Sequence, residues 1–450
     1  MTNRIFGFVF ILLTMASFSH FGLFGNNLQP VPVLVLGFLL LSCYCVGYFL
    51  ELIKLPRITG YIFGGLFLGP YFLKFYTHQS VEALYFLNNL ALAFIAFCAG
   101  GELQLKSIRK RIKSLAIILI GITLVILIGV TISITAISSY IPFMRDYPLR
   151  VKIAVAAIFG VICTARSPSS AIAIITETKA KGPCTDTILS ITIAMDVLVI
   201  MLFAVIISVC QVFISPESTI DLVFLGNLLF EILIAFILGF LLGKGIVFLI
   251  TNVGVEFPVI IVAMGFIVIK FCHLLSEYLH SIHDISLHLE PLLICMAAGF
   301  TVQNLSKHGT KFLSSMNRVS LPIYIAFFAI TGASMNIEIL KTGWILGLII
   351  VMSRGLMIFI GSKFFGRIAG EKPELYNNAW LGFITQAGVS LGLVSEVVRR
   401  FPDIGIHIKS ILIASITFNQ IIGPAAFKYM LNRVGESKIR RDESIKDTIK

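Results

Sequence analysis

The sequence predicts an all-α polytopic membrane protein, on three observations. Hydrophobic residues make up 57% of the 450-residue chain and charged residues only 13%. A mean hydropathy of +0.96 is more than a soluble core can absorb. Apolar runs of about 20 residues recur along the whole length, each long enough to cross a hydrocarbon core of ~30 Å as a helix.

The first run, Ile5 to Phe24, follows Arg4 and has no small-x-small cleavage site behind it, so an uncleaved helix or signal anchor is expected over 1–30. Val31 to Leu52, Ile58 to Phe75 and Leu84 to Gly101 are the next spans, occupying 31–104. Ser114 to Ile141, Leu149 to Thr176 and Thr185 to Phe213 occupy 114–213, and Leu222 to Ile250 is a single linking helix. Pro258 to Leu275, Leu289 to Val302 and Val319 to Met335 fall in 256–336; Trp344 to Phe365, Tyr376 to Val398 and Ile408 to Met430 fall in 342–430. The charged tail, 431–450, is too short and polar to fold alone.

The net charge of +12 raises the question of a nucleic-acid partner, yet the basic residues are spread over loops and the tail rather than gathered on one soluble face. Topology explains them better. Counted from an inner N-terminus, the block Lys106 to Lys113 and the tail both fall on the inner side, so a cytosolic C-terminus is expected. The eight cysteines lie mostly in apolar runs and read as small buried hydrophobes. No nucleophile–base pair or metal motif appears, so neither an enzyme nor a cofactor is expected.

The chain also repeats itself. Gly60 to Gly65 and Ala96 to Leu103 have a later echo in Met296 to Phe300 and Ala329 to Met335. Each copy is followed by three runs whose middle member is interrupted, at Arg166-Ser167-Pro168-Ser169 in the first and at Thr385-Gln386-Ala387-Gly388-Val389-Ser390 in the second. An odd number of runs separates corresponding elements, so the two copies cross in opposite senses, the pattern of inverted repeats with broken helices at the midplane.

One charge falls deep in each half. Asp196 lies about 11 residues into its run, roughly 16 Å deep at 1.5 Å per residue, and Arg354 reaches a similar depth. Thr192, one turn before Asp196, points the same way. Pro168 removes a backbone donor, and the small residues around it and around Gly388 let the chain unwind. Freed carbonyls and half-helix ends can then hold a cation beside Asp196, whose carboxylate accepts a proton or a metal ion but not both. That competition is the minimal chemistry of antiport. The same residues also fit plainer roles: Asp196 with Arg354 as a structural ion pair, the Pro168 segment as a helix kink, Glu231 and Lys270 as a helix contact, Glu102 and Glu177 as solvated helix ends. His273, His280, His283 and His288 match no single metal-ligand pattern.

Four stretches, Leu55 to Pro70, Thr164 to Ser170, Met195-Asp196 and Leu381 to Leu393, resemble the monovalent cation:proton antiporter superfamily of sodium/hydrogen exchanger type, in the branch with bacterial sodium:proton antiporters and potassium efflux systems. The resemblance implies a thirteen-helix fold, here with an extra N-terminal helix. Panel and dimerisation helices would occupy 31–104 and 256–336, and core transport helices 114–213 and 342–430. It implies a homodimer and an elevator-like motion, with Asp196 carrying H+ or Na+ or K+ in turn. Arg354 matches a basic position of the family; Thr164, Ser167, Pro168 and Ser169 match the first crossing segment, and Gln386, Gly388 and Ser390 the second.

Two residues depart from the family pattern. Met195 stands where a polar or acidic residue usually precedes the aspartate, and a lone carboxylate implies electroneutral, one-for-one exchange. Arg166 adds a fixed charge beside the first break. Paired with Asp196 or Glu177 it would lock the site, giving a transport-inactive sensor or regulatory protein of the same fold; with Arg354 it would suit an anionic solute. The potassium efflux members carry a nucleotide-binding C-terminal domain where this chain has a basic tail, so gating of that kind would require a separate soluble subunit.

Overall fold

Long apolar helices and short polar turns leave the backbone in lipid few options other than helix, because each helix satisfies its own N–H and C=O groups. The computed structural model describes residues 32–214, 222–253, 256–283, 289–335, 337–386 and 389–437, and among them every regular element is helical. The expected N-terminal helix over 5–24 and the end of the tail lie outside the described residues.

In chain order the helices are α1 (Pro32–Leu52), α2 (Arg57–Leu68), α3 (His78–Ala83), α4 (Tyr85–Glu102), α5 (Leu105–Ile137), α6 (Leu149–Thr164), α7 (Pro168–Thr178) and α8 (Pro183–Ile214). They continue with α9 (Leu222–Val253), α10 (Phe257–His283), α11 (Pro291–Leu305), α12 (Gly309–Ala333), α13 (Ile337–Ile368), α14 (Pro373–Gly382), α15 (Val389–Arg400) and α16 (Pro402–Arg433). Among the described residues, eight of these are long and apolar enough to cross a membrane: α1, α5, α8, α9, α10, α12, α13 and α16.

The two runs expected to be interrupted are broken: Leu149 to Thr176 is two helices, α6 and α7, and Tyr376 to Val398 is α14 and α15. The basic block before Ser114 is helical rather than a loop, because Lys and Arg are good helix formers and α5 extends back to Leu105 to include them. Arg111 within it donates to Glu371 at 2.6 Å, and the Ser114 hydroxyl donates to the same carboxylate oxygen.

The chain forms two compact units. The first comprises Met1–Glu102, Gly239–Leu274 and Ile294–Ile337; the second comprises Leu103–Leu238, Leu275–Leu293 and Glu338–Lys450. In the first unit α2 packs on α1 and α12, and α4 packs on α12. The sequence echo has its explanation here. A Cβ on Gly65 would collide with the Ala329 carbonyl, and one on Gly332 with that of Ile62. Gly100 stands in the same relation to Met296, and Gly299 to Phe97. Each motif of the first copy therefore meets the opposite motif of the second at backbone contact, reciprocally, as small residues allow in membrane helices. In the second unit α8 is central, packing against α5, α6, α7, α14 and α15, while α16 packs against α7, α14 and α15.

Candidate functional site

The first break follows directly from Pro168. Proline has no N–H to continue α6 and disfavours the helical conformation at the residue before it. Ser167 is accordingly extended, Ala165 is extended as well, and Pro168 opens α7 as its first residue. The Ser167 hydroxyl caps α7, accepting from the Ser170 N–H at 3.2 Å. It also lies 2.9 Å from the Ser170 hydroxyl and 3.0 Å from that of Ser169. Ser167, expected at the ion site, is thus engaged in the helix cap, together with Ser169, expected in the crossing segment. Thr164 is fully buried and donates to the Val161 carbonyl at 2.6 Å, which leaves its oxygen lone pairs available.

The second break lies between α14 and α15, and the two breaks are joined. The Ser167 N–H donates to the Thr385 carbonyl at 3.2 Å. Gln386 donates through Nε2 to the Ile162 carbonyl at 3.0 Å and accepts at Oε1 from Asn419 at 2.9 Å. Gly388 lies outside the described residues.

Arg354, 1% exposed on α13, holds the crossing together. Its Nε donates to Cys163 O at 2.7 Å, Nη1 to Ile384 O at 2.7 Å, and Nη2 to Ala165 O at 3.1 Å and Phe383 O at 3.3 Å. Those carbonyls stand at the C-terminal ends of α6 and α14, where main-chain oxygens lack helical partners and a cation is favoured. The structural ion pair between Arg354 and Asp196 is therefore not what the arginine makes: one guanidinium serves two helix ends.

Asp196 sits on α8, the helix that touches both halves of both broken helices. Among the described residues its Oδ1 is buried without a hydrogen-bond partner, as are the hydroxyl oxygens of Thr192, Thr385 and Ser390. Thr192 and Asp196 share one face of α8, one turn apart. Buried oxygens left unpaired are costly unless they have a use, and oxygens are the ligands that hard cations take. Met195 faces away from this group: it is fully buried, and its sulfur lies 3.5 Å from the Thr123 hydroxyl on α5.

Arg166 makes no hydrogen bond to Asp196 or Glu177. The residue is completely buried, none of its guanidinium nitrogens has a hydrogen-bond partner among the described residues, and the group stacks 4.0 Å from the centre of the Phe383 ring. Glu177, its other candidate partner, pairs with Lys428 at 3.1 Å. Asn419 and Lys428 were missed in reading the sequence, although both are polar interruptions of an otherwise apolar helix, the signal that drew attention to Asp196.

The chain matches the profile of the family described as sodium/hydrogen exchanger, transmembrane, over residues 37–431. It is similar to cation/H(+) antiporter 19 of Arabidopsis thaliana, 33% identical over 111 residues that are 22% of this chain and 14% of that protein. Cation/H(+) antiporter 17 of the same plant is 33% identical over 136 residues, 28% of this chain and 17% of the relative. The matched stretch is thus a small part of either curated relative. Among solved structures, the sodium proton antiporter MjNhaP1 from Methanocaldococcus jannaschii at pH 8 superposes with a TM-score of 0.59 at 20% identity, covering 90% of this chain and 95% of that one. An electron-microscopy structure of the same antiporter gives a TM-score of 0.63 at 18% identity, covering 90% and 94%.

Proposed function

The chain belongs to the sodium/hydrogen exchanger family, and from that membership we propose that it exchanges a monovalent cation, Na+ or K+, for H+ across the membrane, with Asp196 holding the two in turn. The observation that carries the reading is the unpaired Asp196 carboxylate oxygen on the helix packed against all four halves of the broken helices. Thr192, Thr385 and Ser390 offer further unpaired oxygens, and Thr164 keeps lone pairs free. Arg354 neutralises the helix ends, so Asp196 is left to the transported ion.

Exchange at one carboxylate swaps one positive charge for another and is electroneutral; Met195, turned toward Thr123, adds no second charge. An elevator-type motion is supported by the confinement of both breaks, Asp196 and Arg354 to one compact unit. The first unit is then the panel and homodimer contact. Lys and Arg at the inner ends favour a C-terminus in the cytosol, and the membrane is taken to be the cell's inner (plasma) membrane.

The test is proton flux in proteoliposomes driven by Na+, K+ and Li+ in turn. Flux that saturates with one of these, is abolished in Asp196→Asn and is unmoved by an imposed voltage is the expected result. Retained flux in Asp196→Asn would overturn the carrier assignment, and current accompanying flux would overturn electroneutrality.

A further inference from the structure

The helix that carries Asp196 has no cap of its own. The first intrahelical bond of α8 runs from the Asp186 N–H to the Gly182 carbonyl at 3.0 Å, which makes Gly182 the capping position and Pro183, Cys184 and Thr185 the first three helical residues. A cap side chain ordinarily accepts from the second or third of these N–H groups. Glycine has no side chain with which to do so.

Glu436, some 250 residues away in sequence, takes that place. Its Oε1 accepts from the Cys184 N–H at 2.8 Å, and its Oε2 accepts from the Thr185 N–H at 2.7 Å and the Thr185 hydroxyl at 2.6 Å. The Glu436 carbonyl also accepts from the Lys181 N–H at 3.1 Å. The residue is only 8% exposed. Gly435, at φ +74°, turns the chain after α16 so that Glu436 meets α8, a conformation that glycine adopts without strain. Gly182 in turn must lack a side chain, because a Cβ there would run into the Glu436 carboxylate. A negative charge at a helix N-terminus is also electrostatically favoured.

The contact joins two rods at one end. Along α16, Asn419 lies about 14 residues before the end of the helix, and Asp196 lies about 13 residues after the start of α8, so both sit roughly 20 Å from the shared end. Asn419 is tied at that level to Gln386 of the second break. The height of Asp196 relative to the second break is therefore set through α16 and its closing contact at Glu436. Arg111, donating to the Pro183 carbonyl at 3.3 Å, grips the same turn from α5.

We propose that Glu436 is a positioning residue for exchange: as the N-cap that α8 lacks locally, it holds Asp196 level with the two breaks. The proposal rests on the exchanger reading above. Its test uses the full chain in proteoliposomes, comparing wild type with Glu436→Ala, Gly182→Ala and the double variant. A lost cap whose cost falls on the ion site raises the half-saturating cation concentration roughly tenfold. The pH midpoint of exchange should move as well, with maximal rate largely kept.

Gly182→Ala, which displaces the same carboxylate from the other side, should reproduce the shift, and the double variant should be no worse than either single one. Glu436→Gln, which keeps one acceptor oxygen, should fall between and serves if the alanine variant does not fold. Wild-type flux with unchanged half-saturation and pH midpoint in the variants, whatever their thermal stability, would overturn the proposal alone. Absence of flux from wild type with every cation would remove the exchanger reading and this proposal with it.

Discussion

Replacing Arg354 by glutamine tests how the crossing is held together. The arginine donates to four carbonyls drawn from both breaks, three of them in fully buried bonds. Hydrogen bonds from a charged donor contribute about 1.5–3 kcal/mol each, and a glutamine amide can serve two of the four acceptors at best, so Arg354→Gln should cost about 3–6 kcal/mol. Arg354→Lys keeps the charge but loses the planar fork and should fall between. Asp196→Asn should change stability little, because the carboxylate is not what the arginine binds. The assay is thermal unfolding of the purified protein followed by the fluorescence of its two tryptophans, Trp344 and Trp380. An Arg354→Gln variant that unfolds with wild type would refute the reasoning. So would an Asp196→Asn variant that loses as much as Arg354→Gln, with the double variant no worse, since that is the signature of an ion pair.

Arg166→Met should raise the unfolding midpoint, since a buried charge without a hydrogen-bond partner costs more than its stacking on Phe383 returns, with a net gain of about 1 kcal/mol or more; a lowered midpoint in the same fluorescence assay would show that the charge is compensated. Gly65→Val places a branched side chain against the Ala329 carbonyl and should cost about 3 kcal/mol or prevent assembly of α2 with α12, read as loss of the monodisperse species on size exclusion. Ser167→Ala removes the cap of α7 and should lower stability by about 1 kcal/mol while leaving the half-saturating cation concentration within twofold. A large affinity loss in that variant would return Ser167 to the ion site.

Much of the fold was legible because lipid forces apolar runs into helices, and the cost of burying a charge made Asp196 and Arg354 conspicuous. Pro168 marked the first break for a reason local to the chain, the missing N–H. The glycine echo was visible as a pattern, but its meaning was not: that Gly65 meets Ala329 while Gly332 meets Ile62 is a contact between elements far apart in sequence. Asn419 and Glu436 escaped notice because a single polar residue in or after a helix carries no local sign of what it will reach.

The sequence by itself determined the class of protein, the two interrupted helices and the conspicuous aspartate of the first half. Those follow from composition, periodicity and spacing, which act along the chain, while the family came from the resemblance of four particular stretches. Only the tertiary structure decided where each donor and acceptor went: Arg354 to the carbonyls at two helix ends rather than to Asp196, Ser167 to a cap, Arg166 onto Phe383, and Glu436 to the start of α8. A buried polar group takes whichever partner packing brings within about 3 Å, and that choice is made between segments that the chain alone leaves apart.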